Sequence, residues 1–518
     1  MITIEAAIVI TANTVWILGD QLTLDHAALR GLDRRETCVL LVESQARARR
    51  LPYHKQKLVL VWSAMRHFAD ELRAAGWTVD FHPESPTYRA AVDAHVRRFR
   101  PRRLRLMEPA EAGAAERLAA TARAAGAADV EVVPNDMFLG DAASFARWAS
   151  GRKTLLLESF YRDMRRRTGL LMDGGEPAGG RWNFDADNRE VPPPGHVFPA
   201  IPRFTPDAET KRVMRLVARD FPDHFGTLDG FAWPVTRADA ERFRDDFLEH
   251  RLDLFGPYED AIVRGERALY HSLLSPLLNL GLLAPLDLCT RAEERWRAGE
   301  ARLASVEGFV RQIIGWREFV LRVYRHDMPE YATRNALAAD LPLPGFYWDA
   351  DTDMACVREA VGTLLEHGIN HHIQRLMITG NFALIAGVDP QAVNEWYWLA
   401  YADAYEWVVT PNVLGLSLWA DGGRIATKPY AASANYVNRM SDHCRGCAYD
   451  HRASVGERAC PFNALYWDFL ARNRERLKGN PRMRIPLAAL ARRPQEDVAA
   501  IRARAAELRE RLRGGARV

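Results

Sequence analysis

In the first 147 residues, short apolar or β-branched runs at 14–18, 38–43, 78–82, 103–107 and 130–133 alternate with stretches of helical spacing such as 61–75. Strands separated by helix-length segments predict βαβ units and a mostly parallel, Rossmann-like sheet. A polar stretch rich in Gly and Pro follows, including GEPAGGRWNFDADNRE and VPPPGHVFPAIP, where no periodicity lasts long enough to make an element. Beyond about Thr236 the strand pattern disappears, and apolar residues recur at helical spacing almost to the end. The expected organisation is an α/β domain over 1–147, a connector over 148–235 and an all-helical domain over 236–518. The tail beyond Gln495, rich in Arg and Ala, reads as a solvated terminal helix.

At 518 residues the chain exceeds what one core supports, and 48% apolar residues suffice for two or three. The net charge of +3 is nearly neutral, but arginine supplies most of the 70 basic residues, and its fork suits phosphate. Residues 1–10 are short and carry Glu5 without a basic start, so neither signal peptide nor membrane anchor is expected. A cytoplasmic protein follows from that reading. Six cysteines in such a length exclude a disulfide scaffold. Cys38 and Cys289 sit in apolar runs and read as core residues.

The other four cysteines carry chemistry. Cys444 and Cys447 form a CxxC pair, Cys460 follows with Pro461 directly after it, and Cys356 is the remaining cysteine of the helical domain outside a strongly apolar run. Four thiolates suit a four-iron iron–sulfur cluster or a structural zinc, and spacing leaves both open.

Asp389 as N-cap and Pro390 as first residue predict a helix that must end by Pro411. On it Tyr397, Tyr401 and Tyr405 would form one stripe, with Trp396, Asp403 and Trp407 sharing another face. Such a stripe is either an aromatic core or a relay of oxidisable rings, which Trp348 would extend. His371 and His372 lie in the helix-like run 364–386, where adjacent side chains diverge by about 100°, so at most one should point into a given pocket. Either they are core residues or one is a proton donor tuned near neutral pH. His271, Ser272 and Ser275 fall at an expected helix start, where hydroxyls and free N–H groups can hold a diphosphate, or where Ser is simply a cap. Neither GxGxxG nor a Walker sequence occurs.

Across nearly its whole length the chain resembles the iron–sulfur bacterial cryptochromes and photolyases, the group of the prokaryotic (6-4) photolyases. The resemblance rests on LGDQL at 18–22, HKQK at 54–57, GGRWNFD at 179–185, HSLLS at 271–275 and RQIIGWREF at 311–319. It continues through HHIQRLMITGNFALIAG at 371–387, YADAYEWV at 401–408, TKPYAASANYVNRMSD at 427–442 and CPFNALYWDFLARNR at 460–474. It implies the photolyase/cryptochrome fold, with an antenna chromophore (6,7-dimethyl-8-ribityllumazine) on the α/β domain and FAD in the helical domain. By the same resemblance Cys356, Cys444, Cys447 and Cys460 ligate a 4Fe-4S cluster. Matching the flavin motifs places His271, Ser272, Leu273, Leu274 and Ser275 at the FAD phosphates. Gln312, Arg375, Asn381 and Asp403 then surround the rest of the cofactor, and Asp20 and Glu43 fall in the antenna region. Trp348 and Trp396 match the electron-transfer route, with Tyr397 and Tyr405 as further stations.

The implied activity is light-driven repair of (6-4) photoproducts in UV-damaged DNA by a monomeric enzyme that flips the lesion out of the duplex. His372 would be the proton donor, with His371 and Tyr430 lining the same pocket, and arginines of 161–167 are candidates for phosphate contacts or a solvated basic face. Two positions depart from relatives: Val409 stands in a segment that is acidic there, and Arg47, Arg49 and Arg50 crowd the antenna region. A blue-light photoreceptor is the alternative that fold does not separate. The cluster-bearing part also resembles the large subunit of eukaryotic and archaeal primases, a likeness that leaves the flavin motifs unexplained.

Overall fold

The computed structural model describes residues 11–518, so the expectation for residues 1–10 lies outside the described residues. Two compact units emerge. One gathers the described part of Met1–Leu139 with Pro202–Asp246 and Leu274–Leu288, and the other combines Gly140–Ile201, Phe247–Leu273 and Cys289–Val518.

The first unit is built on five strands, β1 (Asn13–Ile17), β2 (Thr37–Ser44), β3 (Thr78–Ser85), β4 (Arg103–Met107) and β5 (Asp129–Val133). All pair in parallel in the order β3-β2-β1-β4-β5, the expected α/β fold. Every residue of β2 is buried, as befits a parallel strand covered on both faces. Trp16, Leu40, Leu104 and Leu106 form the centre of one core layer with Val92, Val96 and Ala122 of the flanking helices, and Tyr88 packs edge-on against Trp16 at 5.5 Å.

A polar network crosses this core. His95 donates from Nδ1 to Asp80 Oδ2 at 2.7 Å, and its Nε2 shares a hydrogen bond with the Thr14 hydroxyl at 2.8 Å. His82 also meets Asp80 Oδ2, at 2.9 Å. The order Thr-His-Asp is that of a hydrolase triad, but Thr14 and His95 are wholly buried, so the network ties strands to helix and meets no substrate. Burial alone would raise the Asp80 carboxyl; the hydrogen bonds from His82 and His95 outweigh it and hold Asp80 well below the usual range. That contribution is present above about pH 4 and fades as pH falls toward the depressed value. His95→Leu leaves the Thr14 hydroxyl without this partner, takes one of its hydrogen bonds from Asp80, and lowers unfolding free energy by about 1–3 kcal/mol. Urea unfolding at pH 7 checks this, and an unchanged midpoint would show the network to be dispensable.

Among the described residues the second unit is helical apart from the two-residue strands Met172–Asp173 and Glu176–Pro177, and none of the chain's helices is long and apolar enough to cross a membrane. Segment 148–235 holds two well-formed helices, Leu157–Thr168 and Ala208–Asp220, one in each unit. Of the arginines at 161–167, Arg165 is fully buried and donates to the carbonyls of Leu170, Leu171 and Trp182, closing the helix end rather than facing phosphate. Arg162 pairs with Glu158, and Arg166 lies 4.6 Å over the Trp182 ring.

Three expectations need correction. The terminal helix Gln495–Arg513 is not solvated all round: Ile501, Ala505, Leu508 and Leu512 are buried where it packs along Pro461–Arg472. The aromatic helix stops at Ala400 and a second one, Glu406–Thr410, begins after an extended break, so Tyr397, Tyr401 and Tyr405 form no continuous stripe. Pro411 ends nothing; it opens the π-helical turn Pro411–Ser417. The run 364–386 is likewise divided, by Gly368 at φ +69° and the following coil, and resumes as the π-helical segment Gln374–Gly380. A third π-helical turn spans Arg311–Arg317. Such turns widen the backbone ladder and are frequent at functional sites.

Candidate active site at a histidine cluster

His271 sits on a loop that local propensity would not choose. Leu269 and Leu273 on either side have φ of +47° and +57°, a region costly for side chains with a Cβ. The fully buried Arg251 holds the bend by donating to the His271 carbonyl at 2.8 Å. Opposite, His371 ends the coil after Gly368 and His372 opens the helical turn that leads into Gln374–Gly380. The His371 ring stacks on His271 with centroids 4.6 Å apart and 16° between planes. His372 Nδ1 lies 3.1 Å from His271 Nε2, and its Nε2 is 3.6 Å from Asp260 Oδ1.

One nitrogen from each ring lies within 4.8 Å of the others, so both members of the pair reach one cluster. That overturns the expectation that at most one could. The 100° rule holds within a helix, and His371 precedes the helical segment. The near-parallel rings of His271 and His371 aim their in-plane lone pairs side by side rather than at one point, which suits proton exchange better than a shared ion.

Burial first, then His372, pushes His271 down to about 3. His371, 3% exposed, is held well below its ordinary value by burial and then by His271, and neither ring nitrogen has a hydrogen-bond partner. Both rings are neutral at pH 7. The His372 side chain is half exposed, so among the three it alone meets solvent. Tyr430 is also exposed, at 37%. Next to Asp260, Glu259 is buried and its carboxyl is pushed up to about 8 by desolvation, with Arg311 opposing.

A second buried group lies on the π-helical segments. Arg375 donates from Nη1 and Nη2 to the two oxygens of Asp403 at 2.9 and 3.0 Å, and from Nε to the Asn370 carbonyl at 2.9 Å. Its guanidinium stacks 4.1 Å from the Tyr401 ring centre. Asn381 holds residue 432 by accepting from its N–H at 3.0 Å and donating to its carbonyl at 2.9 Å. Gln312 lies on the first π-helical turn and donates to Gly308 at 3.2 Å. A Cβ on Gly380 would collide with Ser417 Oγ, so only glycine lets these two segments approach. Gln374 Oε1, Asn394 Oδ1 and Ser417 Oγ are buried without a hydrogen-bond partner. Of the expected phosphate residues, Leu274 caps and Ser275 opens the helix Ser275–Leu280, and Ser272 and Leu273 precede it. His271, in contrast, spends its ring on the other histidines.

Trp396 is buried and packs edge-on against Tyr347 at 4.9 Å, Tyr397 at 5.2 Å and Tyr401 at 5.9 Å. Trp348, next to Tyr347, is 43% exposed. Tyr405 caps the helix Glu406–Thr410, away from the stripe assigned to it. Tyr347 carried no signal in the sequence; its neighbour Trp348 drew the attention.

The four cysteines line one cavity together with Met354, Ala434, Val437 and Phe462. Burial first, then the other three thiols, raises Cys356 far above its ordinary value. Cys460 is pushed up to about 12, chiefly by burial. Four thiols gathered in one largely apolar wall are a donor set suited to a positively charged group.

In the first unit Glu43 is fully buried and both its oxygens are taken by Arg66, at 2.7 and 2.8 Å, which closes it to an antenna ligand. Asp20 is partly exposed, and its carboxyl is pushed up to about 6 by desolvation, against the pull of its own backbone hydrogen bond and of Arg47. Arg47, Arg50 and Arg117 all converge on Glu111.

Over 506 residues the chain is 47% identical to a (6-4) photolyase of Agrobacterium fabrum, covering 97% of this chain and all of that protein. The chain belongs to the photolyase family. Residues 15–233 of this photolyase match the family model of deoxyribodipyrimidine photo-lyase-related proteins. Its fold is also that of a class III photolyase from Agrobacterium tumefaciens, at 14% identity, TM-score 0.57 and coverage of 92% and 100% of the two chains. A cryptochrome from Synechocystis sp. PCC6803 aligns at 13% identity and TM-score 0.57 over 83% of this chain and 86% of that one. Sequence reasoning about this photolyase missed Asp260 and the partnership of His271 with His372. A lone Asp in a helical half and a His ahead of two serines offer no pattern to read.

Proposed function

We propose that the protein is a light-driven (6-4) DNA photolyase with FAD in its helical unit. The full-length relative named as a (6-4) photolyase supports that substrate, and the histidine cluster is the observation that carries the chemistry. Transfer of an oxygen between two bases needs a proton delivered and returned, and His372, half exposed and set between a neutral imidazole and Asp260, is the group placed to do so. His371, neutral and buried, would complete the wall of the lesion pocket, and the exposed Tyr430 would line it.

The buried polar atoms left unpartnered at Gln374, Asn394 and Ser417, together with the Arg375–Asp403 pair, fit a polar cofactor in the helical unit. When bound, reduced FAD supplies the light-excited electron. Gln312, Arg375, Asn381 and Asp403 would hold its ribityl and ring parts, and Ser272 and Leu273 its phosphates. Trp396 would connect Tyr397 and Tyr347, each in edge contact with it, and Trp348, next to Tyr347 in the chain and 43% exposed, would be the outer station. Tyr405 would be a side station.

The thiol cavity fits a 4Fe-4S cluster on Cys356, Cys444, Cys447 and Cys460. Its role would be structural, pinning the segments that carry the four cysteines, and iron and sulfide analysis of the purified protein tests it. In the α/β unit Asp20 fits a lumazine antenna and Glu43 does not. The reading as a repair enzyme has more support than a photoreceptor role, since the full-length relative is named as a (6-4) photolyase. Purified, photoreduced protein illuminated with oligonucleotides bearing a (6-4) product should restore thymines; no restoration with the flavin fully reduced would overturn the proposal.

A further inference from the structure

His271 belongs to the sequence motif that leads into the phosphate residues, yet its ring has a different task. We infer that His271 is a positioning residue that locks His372 in the tautomer carrying hydrogen on Nδ1, so that Nε2, opposite Asp260, is the atom that takes up and gives out the proton.

The argument runs along one chain of hydrogen bonds. The Ala268 carbonyl can only accept, so His271 Nδ1, 3.0 Å away, must donate to it. The Glu259 backbone is a further acceptor beside the enclosed ring, and with the single hydrogen of the neutral imidazole on Nδ1, Nε2 keeps its lone pair. His372 Nδ1, 3.1 Å from that lone pair, must then be the donor. Neutral His372 therefore has a bare Nε2. With Nδ1 taken, a second hydrogen on His372 can sit only on Nε2, 3.6 Å from Asp260 Oδ1, and it leaves the Nδ1 bond undisturbed.

Everything about His271 serves to hold this polarity. Leu269 and Leu273 accept left-handed backbone to turn it, and Arg251 fixes its carbonyl. Phe255 packs edge-on at 5.8 Å and His371 stacks at 4.6 Å, so the ring has no room to flip. His372 thus faces two neutral rings on one side and a carboxylate on the other. Arg375 lies by His371, and Tyr436 and Arg189 lie by Asp260. The same device, a buried hydrogen-bond partner choosing which nitrogen works, orients the histidine of acyl-transfer triads, where the wrong tautomer is severely damaging.

The consequence for repair rests on the proposed (6-4) activity, whereas the tautomer does not, so the two are tested separately. Protein labelled with 15N histidine, with the His372 signals assigned by their loss in His372→Ala, should show a pyrrole-type Nδ1 and a pyridine-type Nε2 at pH 8. The reverse pattern in the wild-type protein would overturn the inference whatever its variants do. His271→Phe keeps the stack and removes the acceptor: His372 should shift toward the Nε2–H form, and (6-4) repair should fall about tenfold or more with a displaced pH profile. His271→Gln, which offers an amide oxygen to Nδ1, should restore the wild-type pattern and much of the rate. A His271→Phe protein whose His372 signals and pH profile match the wild type would also overturn it. If the wild-type tautomer is as stated but no (6-4) product is repaired, the positioning stands and the assigned reaction falls.

Discussion

Asp403→Ala should lower the unfolding free energy of the helical unit by about 3–5 kcal/mol, the loss typical when one partner of a buried ion pair is removed. The estimate follows from where the other partner is left. Arg375 is held by two parallel hydrogen bonds to Asp403, by the Asn370 carbonyl and by the face of Tyr401. Burial alone would lower the Arg375 guanidinium; Asp403 more than compensates and keeps it charged. Without the carboxylate, a cation remains with one carbonyl and a ring. Asp403→Asn keeps an acceptor and should lose less. Urea unfolding monitored by far-UV circular dichroism reads both, and an Asp403→Ala midpoint equal to the wild type would show that the pair holds nothing together.

The same pair explains why the aromatic helix breaks where its sequence gives no sign. Residues 390–411 have the N-cap, the proline and the apolar content of one helix. For Asp403 to meet Arg375, the chain must leave helical geometry at Tyr401, with φ −99° and ψ 137°, and re-enter after Tyr405. The N–H of residue 402 donates to the Gly368 carbonyl at 2.8 Å, and Tyr401 donates to Asn370 Oδ1 at 3.1 Å, so partners some thirty residues away decide the break. Periodicity reports on local contacts and cannot register these. It succeeded where the structure is locally determined: the five strands are short apolar runs covered on both faces, and each lies within a few residues of its expected place.

Site residues divide along the same line. The cysteines were legible as a group because a CxxC pair is a pattern of residue type and tight spacing, and all four line one cavity. The histidine pair was visible as a pair but misread in geometry, because the coil that lets both rings reach His271 depends on Gly368 and its long-range bond. Glu43 looked available for a ligand because sequence does not show Arg66, twenty-three positions on, closing over it. The docking of Gln495–Arg513 was hidden by composition: four buried apolar residues among many charges suffice for a helix that needs only one narrow seam.

Adjacent as they are, the two histidines should differ sharply on substitution. His372→Ala is expected to slow (6-4) repair by about 10²–10⁴-fold, the usual range for loss of a positioned acid or base, with FAD content unchanged. Its side chain is half exposed, its Nδ1 is tied to His271 and its Nε2 faces Asp260, so it can exchange a proton with a bound lesion and with solvent. His371 lacks each of those properties. It is enclosed, its nitrogens have no hydrogen-bond partner, and burial and the neighbouring imidazole keep it neutral far below pH 7. A neutral ring in that place can shape the pocket but does not supply a proton on demand. His371→Leu, similar in volume, should therefore retain more activity than His372→Ala, with its loss appearing in lesion binding. Initial rates of thymine restoration under blue light, with lesion binding measured in the dark, separate the two effects. Equal losses in rate for both variants, or a His372→Ala protein that repairs at the wild-type rate, would show that the proton enters by another route.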